Sequence, residues 1–274
     1  MERNIALWLA FDGEAFHGWQ RQGTLRTVQR EMELAVARAV RHPVDVSGCG
    51  RTDAGVHAFG FVCNFRTTCE LPLDRLRESI RARLPEDLEV VKARQVSVAF
   101  DARRCASSKL YRYLIHYSPH KPLEGQDRRR VYHIYKRLDV PAMHDAGRYF
   151  VGEHDFSAMT PVGTVRESMV RRVMRCEVEQ QGCEVRIDVE GDGFLYRQVR
   201  TMVGTLVEVG RGRWAPEEIP SILESRDRRR GGPTAPAKGL CLHWVRYPAE
   251  LLGVNDATAV SDEPPVGLFE PWSP

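Results

Sequence analysis

The residues best suited to chemistry lie together in one glycine-rich stretch, GCGRTDAGVHAFG, at positions 48–60. It places Asp53 between Arg51 and His57. Glycine lets the backbone turn where other residues are strained, and lets it approach a bulky ligand closely. A loop of this kind fits three types of site: a phosphate-binding turn, a metal loop, and a device that holds one carboxylate.

A phosphate-binding turn is disfavoured by charge and by pattern. The stretch starts as Gly-x-Gly-x-x, but Asp53 takes the place of the third glycine of the dinucleotide fingerprint and would repel a pyrophosphate. Residues 59–65 then alternate in polarity, which predicts a strand where that fingerprint requires a helix. The Gly-Lys-Ser/Thr sequence of a P-loop is also absent from the stretch.

A metal loop would have too few ligands. Asp53 and His57 could both coordinate an ion, but the sequence shows no compact cluster that completes the site. The seven cysteines contain no Cys-x-x-Cys pair, so neither a zinc site nor a disulfide framework is expected. We therefore expect no bound metal and reduced thiols.

A positioned carboxylate is the third interpretation. Arg51 beside Asp53 would favour its ionised form. An ionised and fixed carboxylate suits a nucleophile, or a group that stabilises positive charge at a sugar C1′. The competing interpretation is structural: an Asx-type turn in which Asp53 bonds its own loop. The loop by itself leaves both open.

Two further segments carry side chains of chemical interest. SKLYRYLIHY alternates as a strand, which puts Tyr111 and Tyr113 on one face and Arg112 on the other. A tyrosine can stack on an unpaired base, although at least one of the two is expected in the core.

GFLYRQVRTMVGTLVEVG predicts an apolar helix that carries Arg197 and Arg200. A buried arginine there would need a carboxylate partner, whereas one that points to solvent would not.

Composition describes a water-soluble chain with a small positive charge. Lys and Arg number 40 against 37 Asp and Glu, for a net charge of +3. No apolar run approaches the roughly 20 residues of a membrane span, and the N-terminus resembles a strand rather than a signal peptide, so we expect a cytoplasmic protein. Arginine clusters favour a polyanion-binding surface, unless nearby acids balance them: Arg128–Arg130, Arg171–Arg172 with Arg175, and Arg226 with Arg228–Arg230.

Hydrophobic periodicity predicts an α+β fold. The first hundred residues predict strand–helix–strand–strand–helix–strand, at 5–11, 28–40, 44–47, 59–65, 76–84 and 88–96. The rest predicts strands at 111–117 and 131–135, a hairpin that turns at Gln181–Gly182, helices within 138–152, at 195–206 and after Pro216, and a strand at 240–247. Thr27, Asp74 and Asp139 are the predicted helix N-caps. A boundary near residue 105 gives domains 1–104 and 105–250, with a Pro-rich tail at 251–274.

Five segments together resemble the TruA-type tRNA pseudouridine synthases. In chain order they read DGEAFHGWQRQ, GRTDAGVHA, FDARRCASSKLYRYLIH, GDGFLYRQVRTMVGTLVEVGRG and DRRRGGPTAPAKGLCLHWVRYP, and the resemblance covers residues 4–248. One such segment could arise by chance, whereas five in family order are highly specific. The sequence departs from the family at Phe100-Asp101-Ala102-Arg103, where many members read Phe-His-Ala-Arg.

The resemblance implies a fold of two ferredoxin/RRM-like α/β halves with antiparallel sheets, joined around a central catalytic cleft. It implies an isomerase that converts uridine to pseudouridine in the anticodon stem-loop of tRNA, at positions 38, 39 and 40. The glycosidic bond breaks, the base turns, and C5 bonds to C1′. The family uses no cofactor and no metal, and it works as a homodimer on tRNA.

The resemblance also assigns roles by position. Asp53 would be the essential carboxylate, and whether it attacks C1′, adds to the base or draws a sugar proton stays open. Tyr111 would stack on the target base and help remove the C5 proton. Arg200 would pair with Asp53, and Arg51 would help the target nucleotide leave the helix stack. Two alternatives are a non-catalytic RNA-binding protein or chaperone on the same fold, and a synthase for another RNA site.

Overall fold

The computed structural model describes residues 2–120 and 130–253. These residues form two compact units. The first unit contains residues 2–107 and 242–253, and the second contains the described residues between 108 and 241. The first unit is therefore built from two separate stretches of the chain, whereas the second is continuous in sequence.

The predicted domains, 1–104 and 105–250, have limits that differ from those of the two units, and they stay a prediction. The predicted irregular tail lies outside the described residues from position 254 onward. Arg128 and Arg129 of the first basic cluster lie outside them as well.

The predicted order of elements in the first hundred residues is confirmed. Before residue 108 the elements are β1 (Arg3–Phe11), α1 (Val28–Val40), β2 (Ser47–Gly48), β3 (His57–Thr67), α2 (Leu73–Arg81) and β4 (Leu88–Val96). From residue 108 they are β5 (Ser108–Tyr117), β6 (Tyr132–Ile134), α3 (Val140–Arg148), β7 (Gly152–Asp155), β8 (Val170–Gln181), β9 (Glu184–Gly191), α4 (Gln198–Gly210), α5 (Glu218–Glu224), β10 (Leu240–Arg246) and α6 (Ala249–Leu252). Periodicity does not predict β7 or α6, because elements of four residues are too short to show it.

The first unit is a sheet in the order β4–β1–β3–β10, with β2 added to β3. Strand β1 lies antiparallel between β3 and β4, and its Ile5, Leu7 and Leu9 are fully buried. Helix α1 contributes an apolar stripe that includes the fully buried Met32. This packed sheet is the support on which the loop that carries Asp53 starts and ends.

The second unit is a sheet in the order β5–β9–β8–β7, and β6 runs parallel to β5. Helix α3 packs on β8 and on α4. The β8–β9 hairpin turns one residue later than predicted, because Gln181 still pairs with Glu184 and leaves Gly182 and Cys183 to form the turn. Gly182 has a φ of 60°, which glycine adopts without strain. None of the described helices is long and apolar enough to cross a membrane.

The predicted helix N-caps have three different outcomes. Asp139 caps α3, since its carboxylate accepts a hydrogen bond from the N–H of Ala142 at 3.0 Å. Thr27 occupies the N-cap position of α1, but its hydroxyl makes no capping bond. Asp74 lies inside the first turn of α2, where Pro72 is the N-cap residue, so it acts on the helix dipole instead.

Candidate active site

The loop that carries Asp53 is fixed to strand β3 at both ends. Before the loop, β2 pairs with β3 through Gly48 and Cys63. After the loop, the chain enters β3 at His57. Between these anchors Asp53 is half-buried and Arg51 is exposed. Both side chains belong to the first unit.

A tight turn follows directly after the aspartate. The N–H of Val56 donates to the carbonyl of Asp53 at 3.2 Å, which closes a four-residue turn. Gly55 occupies the third position of this turn with a φ of 79°. A type II turn requires a positive φ at that position, so glycine is the residue that fits without strain. The backbone at Asp53 is thereby set by the glycine two residues later.

Gly48 is needed for a contact with an aromatic ring of this chain. A Cβ added to Gly48 would lie 2.5 Å from the ring of Trp19 and 2.8 Å from the ring of Phe61. Those two rings stack on each other, with centroids 4.3 Å apart. Because Gly48 has no side chain, the rings of Trp19 and Phe61 can pack against the backbone at the start of the loop.

His57 does not join Asp53 in a metal site. Its Nδ1 lies 3.0 Å from the N–H of Gly13 and 3.1 Å from Oδ1 of Asp12. Within residues 2–120 and 130–253, no three His, Cys, Asp or Glu side chains lie together as a metal ion would require. The ring is therefore engaged with the loop after β1.

The two tyrosines of β5 divide between the core and the candidate site. Tyr113 is fully buried, and its hydroxyl donates to the carbonyl of Pro236 at 2.7 Å. Burial raises the pKa of Tyr113 well above its usual value, and the charge of Arg200 opposes that rise. Tyr111 is half-buried, and the ring of Phe194 meets it at 82° with centroids 5.5 Å apart. The expectation that at least one tyrosine lies in the core is confirmed by Tyr113.

Arg112 points to the other face of β5, as the alternation predicts, and has a structural partner there. Its guanidinium makes two hydrogen bonds to the carboxylate of Asp188, at 2.8 and 2.9 Å. Burial acts to lower the pKa of Arg112, but the hydrogen bond and charge of Asp188 outweigh burial and raise it. Arg112 thus belongs to the framework of the sheet.

The two arginines predicted on α4 differ in exposure. Arg197 is exposed at the N-cap position in a left-handed conformation, and its guanidinium lies 4.8 Å from the centre of the Tyr196 ring. Arg200 is half-buried, and its Nε donates to the carbonyl of Ala235 at 2.8 Å. The N–H of Ala235 donates back to the carbonyl of Arg200 at 3.0 Å. The bond from Nε restrains the Arg200 guanidinium within the second unit.

The loop that holds Arg200 lies directly on helix α4. A Cβ added to Gly204 would fall 1.6 Å from the carbonyl oxygen of Pro233. The N–H of Gly232 donates to the hydroxyl of Thr205 at 3.0 Å. The absence of a side chain at Gly204 therefore allows the loop to reach Arg200.

Acidic neighbours balance part of the last basic cluster. Arg226 lies 3.1 Å from Asp155, and Arg229 lies 2.7 Å from Asp227. The hydrogen bond from Arg229 lowers the pKa of Asp227 to about 2. Arg228 donates to the carbonyl of Gly231. The cluster keeps a positive excess, but less than its four arginines suggest.

Asp101, the departure from the family pattern, has a local partner. Its Oδ1 accepts hydrogen bonds from the N–H of Arg103 at 2.9 Å and from the N–H of Arg104 at 2.8 Å. A short carboxylate is well suited to bond the backbone two and three residues later. Asp101 therefore stabilises a turn in its own loop.

Sequence reasoning does not identify two contributors to the site. Phe194 packs against Tyr111, and residues 12–19 lie on the loop of Asp53. Gly13 and Gly18 are the sequence signal for this contact, but glycine serves turns as well as close approaches, so the signal does not identify it. Their purpose is a close approach between two backbones, which only the folded chain shows.

A family model and the curated relatives described below agree on one family. A family model described as tRNA pseudouridine synthase matches residues 8–103 and 146–248. The tRNA pseudouridine synthase A of Acetivibrio thermocellus is 43% identical over 245 residues, which is 89% of this chain and 100% of that protein. The tRNA pseudouridine synthase A of Moorella thermoacetica is also 43% identical, over 89% of this chain and 99% of that protein.

Similarity to solved structures is weaker. The archaeal box H/ACA sRNP Nop10-Cbf5 complex matches with 12% identity and a TM-score of 0.34, over 74% of this chain and 44% of that chain. The family model, in contrast, covers well over half of the chain. This protein therefore belongs to the tRNA pseudouridine synthases, the enzymes that isomerise uridine in tRNA to pseudouridine.

Proposed function

We propose that this enzyme acts on uridines 38, 39 and 40 of the anticodon stem-loop, with Asp53 as its essential carboxylate. The bond between C1′ and N1 breaks, the uracil turns, and C5 bonds to C1′. A proton leaves C5 and a proton is bound at N1, so the atoms balance and no oxidant or reductant is consumed. The protein must hold a carboxylate, a base and a ribose in fixed relation.

The proposal rests on the fixed position of the loop that carries Asp53. Its loop is anchored to β3 on both sides, and the turn from Asp53 to Val56 is fixed by the positive φ of Gly55. A reacting group that is already positioned loses little freedom on the way to the transition state. A half-buried carboxylate on such a turn suits attack at C1′, addition to the base, or removal of a sugar proton.

Tyr111 is proposed to stack on the target base. Its ring is half-buried and braced by Phe194, whereas the ring of Tyr113 is committed to the core. A braced aromatic ring loses little entropy when a base stacks on it, and such stacking contributes roughly 1–3 kcal/mol per base. Its hydroxyl would assist removal of the C5 proton.

Two arginines are proposed to assist Asp53. Arg200 would be its ion-pair partner, and the hydrogen bond from its Nε to Ala235, which restrains the guanidinium, supports that role. Arg51 is exposed two residues before Asp53 and would help extrude the target nucleotide. Extrusion costs roughly a few kcal/mol, and less near the end of a stem.

The role of Asp53 is tested with Asp53→Asn, which keeps the shape of the side chain and removes its charge. We expect no tritium release from tRNA labelled at C5 of uridine, with tRNA binding close to that of the wild type. Asp45→Asn is the matched control, because Asp45 is an exposed acid ahead of the loop. Wild-type turnover by Asp53→Asn would show that the carboxylate is not essential.

The positions are tested with tRNA transcripts that keep uridine at only one of 38, 39 and 40. We expect product from each of the three transcripts. Product at a different position would favour a synthase for another site. Tight binding without any product, from the wild type, would favour the non-catalytic RNA-binding protein.

The proposal includes a homodimer in the cytoplasm, on the strength of the family resemblance. Light scattering should give about twice the chain mass of 31.2 kDa. A mass equal to one chain, at the concentrations used for activity, would overturn the dimer. Fractionation of cells should place the protein with the soluble tRNA.

A further inference from the structure

Residues 12–19, here named the clamp segment, bond the chain on both sides of the candidate carboxylate. Before it, the N–H of Trp19 donates to the carbonyl of Thr52 at 3.2 Å. After it, the N–H of Gly55 donates to the carbonyl of Phe16 at 3.3 Å. The peptide unit just before the aspartate and the one between Ala54 and Gly55 are thus tied to the same short stretch of backbone.

His57 supplies a third link, through one nitrogen of its ring. The N–H of Gly13 points at Nδ1 from 3.0 Å, and Oδ1 of Asp12 lies 3.1 Å from the same nitrogen. Nδ1 serves one partner at a time: as an acceptor it binds Gly13, and as a donor it would bind Asp12. In the part of the chain that the structure describes, the buried Nε2 has no hydrogen-bond partner. Nδ1 is therefore the atom through which the His57 ring bonds its surroundings.

Two glycines let the clamp segment lie directly on the catalytic loop. Gly18 has a φ of 82°, and a Cβ there would lie 2.4 Å from the carbonyl oxygen of Thr52. A Cβ at Gly13 would lie 2.1 Å from the carbonyl oxygen of Val56. Any side chain at these positions would push the loop backbone away.

The clamp segment is itself anchored to helix α1. The first N–H groups of a helix have no partner within the helix. Here the N–H of Val28 donates to the carbonyl of Gly18 at 3.2 Å, and that of Gln29 to the carbonyl of Trp19 at 3.0 Å. These two carbonyls therefore cap α1, whereas the Thr27 hydroxyl makes no capping hydrogen bond. The segment therefore connects the loop to a rigid element.

We propose that His57 is a positioning residue for Asp53, which acts by linking the end of the aspartate turn to Gly13 of the clamp segment. The inference rests on the proposed catalytic role of Asp53. A displacement of about 1 Å at a reacting group costs roughly 100-fold in rate. His57 is only 3% exposed, so loss of its ring should leave tRNA binding unchanged.

The test compares His57→Leu with His57→Asn in the tritium-release assay. Leucine fills the space without an acceptor, and we expect kcat to fall roughly 10- to 100-fold while KM for tRNA changes by less than about threefold. Asparagine carries an oxygen near the position of Nδ1 and should restore kcat to within about threefold of wild type. Wild-type kcat in His57→Leu, or an equal fall in both variants, would overturn the proposal.

A second variant covers the case in which His57→Leu does not fold. The added Cβ of Gly18→Ala would press on the carbonyl of Thr52, and we expect this variant to lower kcat without raising KM. Wild-type kcat in a folded Gly18→Ala would count against the clamp. Asp53→Asn, assayed in parallel, separates the two hypotheses: turnover there refutes the catalytic carboxylate, whereas its inactivity beside a fully active His57→Leu refutes only the positioning role.

Discussion

Gly204 marks the place where helix α4 touches the loop that orients Arg200, and we expect Gly204→Ala to destabilise the protein. The new Cβ would lie 1.6 Å from the carbonyl oxygen of Pro233, and 3.0 Å is the smallest separation that such atoms tolerate. The loop backbone would have to move by at least about 1.4 Å. That movement strains the two hydrogen bonds between Ala235 and Arg200.

The expected magnitude follows from opposing contributions. In an open helix the same change would stabilise by about 1 kcal/mol, because alanine is the better helix former. Overpacking a tight contact costs roughly 1–3 kcal/mol, and loss of one of the hydrogen bonds costs about 1 kcal/mol more. The net expectation is a loss of about 1–3 kcal/mol in the free energy of unfolding.

Thermal unfolding measures this effect, with Gly210→Ala as the matched control in the same helix. The Cβ of that variant would meet the side chain of Met143, whose flexible thioether can rotate away. Each kcal/mol lowers Tm by about 2–4 °C in a protein of this size. A Tm for Gly204→Ala at or above that of the wild type would refute the reasoning, since the propensity gain would then outweigh the contact.

Four other outcomes are expected. Arg112→Met removes both hydrogen bonds to buried Asp188 and leaves it the longer contacts with Arg186 at 3.7 Å and Arg175 at 4.0 Å, so it should cost about 2 kcal/mol in urea unfolding; an unchanged midpoint would contradict this. Tyr113→Phe removes the donor of a 2.7 Å hydrogen bond and should cost about 1 kcal/mol in the same measurement. Burial raises the pKa of Cys176 to about 12 from 9.0, so its contribution to stability should be lost as pH rises from about 9 towards 12. Mass spectrometry after iodoacetamide treatment should find exposed Cys183 alkylated first.

Long periodic elements could be predicted from the sequence, and their boundaries follow from local signals. Strand β4 has the predicted limits, and α1 begins at Val28 as its apolar spacing indicates. The hairpin turn lies one residue later than predicted, because the pairing of β8 with β9 continues to Gln181 and Glu184. The amino-acid composition of the turn does not show where that pairing stops. Elements of four residues, such as β7, form because neighbours pair with them.

The candidate site could be predicted as a set of residues, but not as an arrangement. Alternation places Tyr111 and Tyr113 on one face without deciding which of them is buried. Packing decides it, because the missing side chain of Gly239 makes room for the ring of Tyr113, whose atoms lie 2.6 Å from where a Cβ would be. The contact between residues 12–19 and the loop of Asp53 is likewise a property of the folded backbone.

The division of the first unit into residues 2–107 and 242–253 has a consequence during synthesis of the protein. Strand β3 has its long neighbour β1 from the start, but its other neighbour, β10, is translated after the whole second unit. At about 5–20 residues per second the ribosome needs roughly 7–27 s to cover that stretch. An incomplete sheet with an open strand edge is prone to pair with other chains. The nascent first unit is therefore the stage at which a chaperone would matter most, whereas the second unit is complete as soon as its last residue emerges.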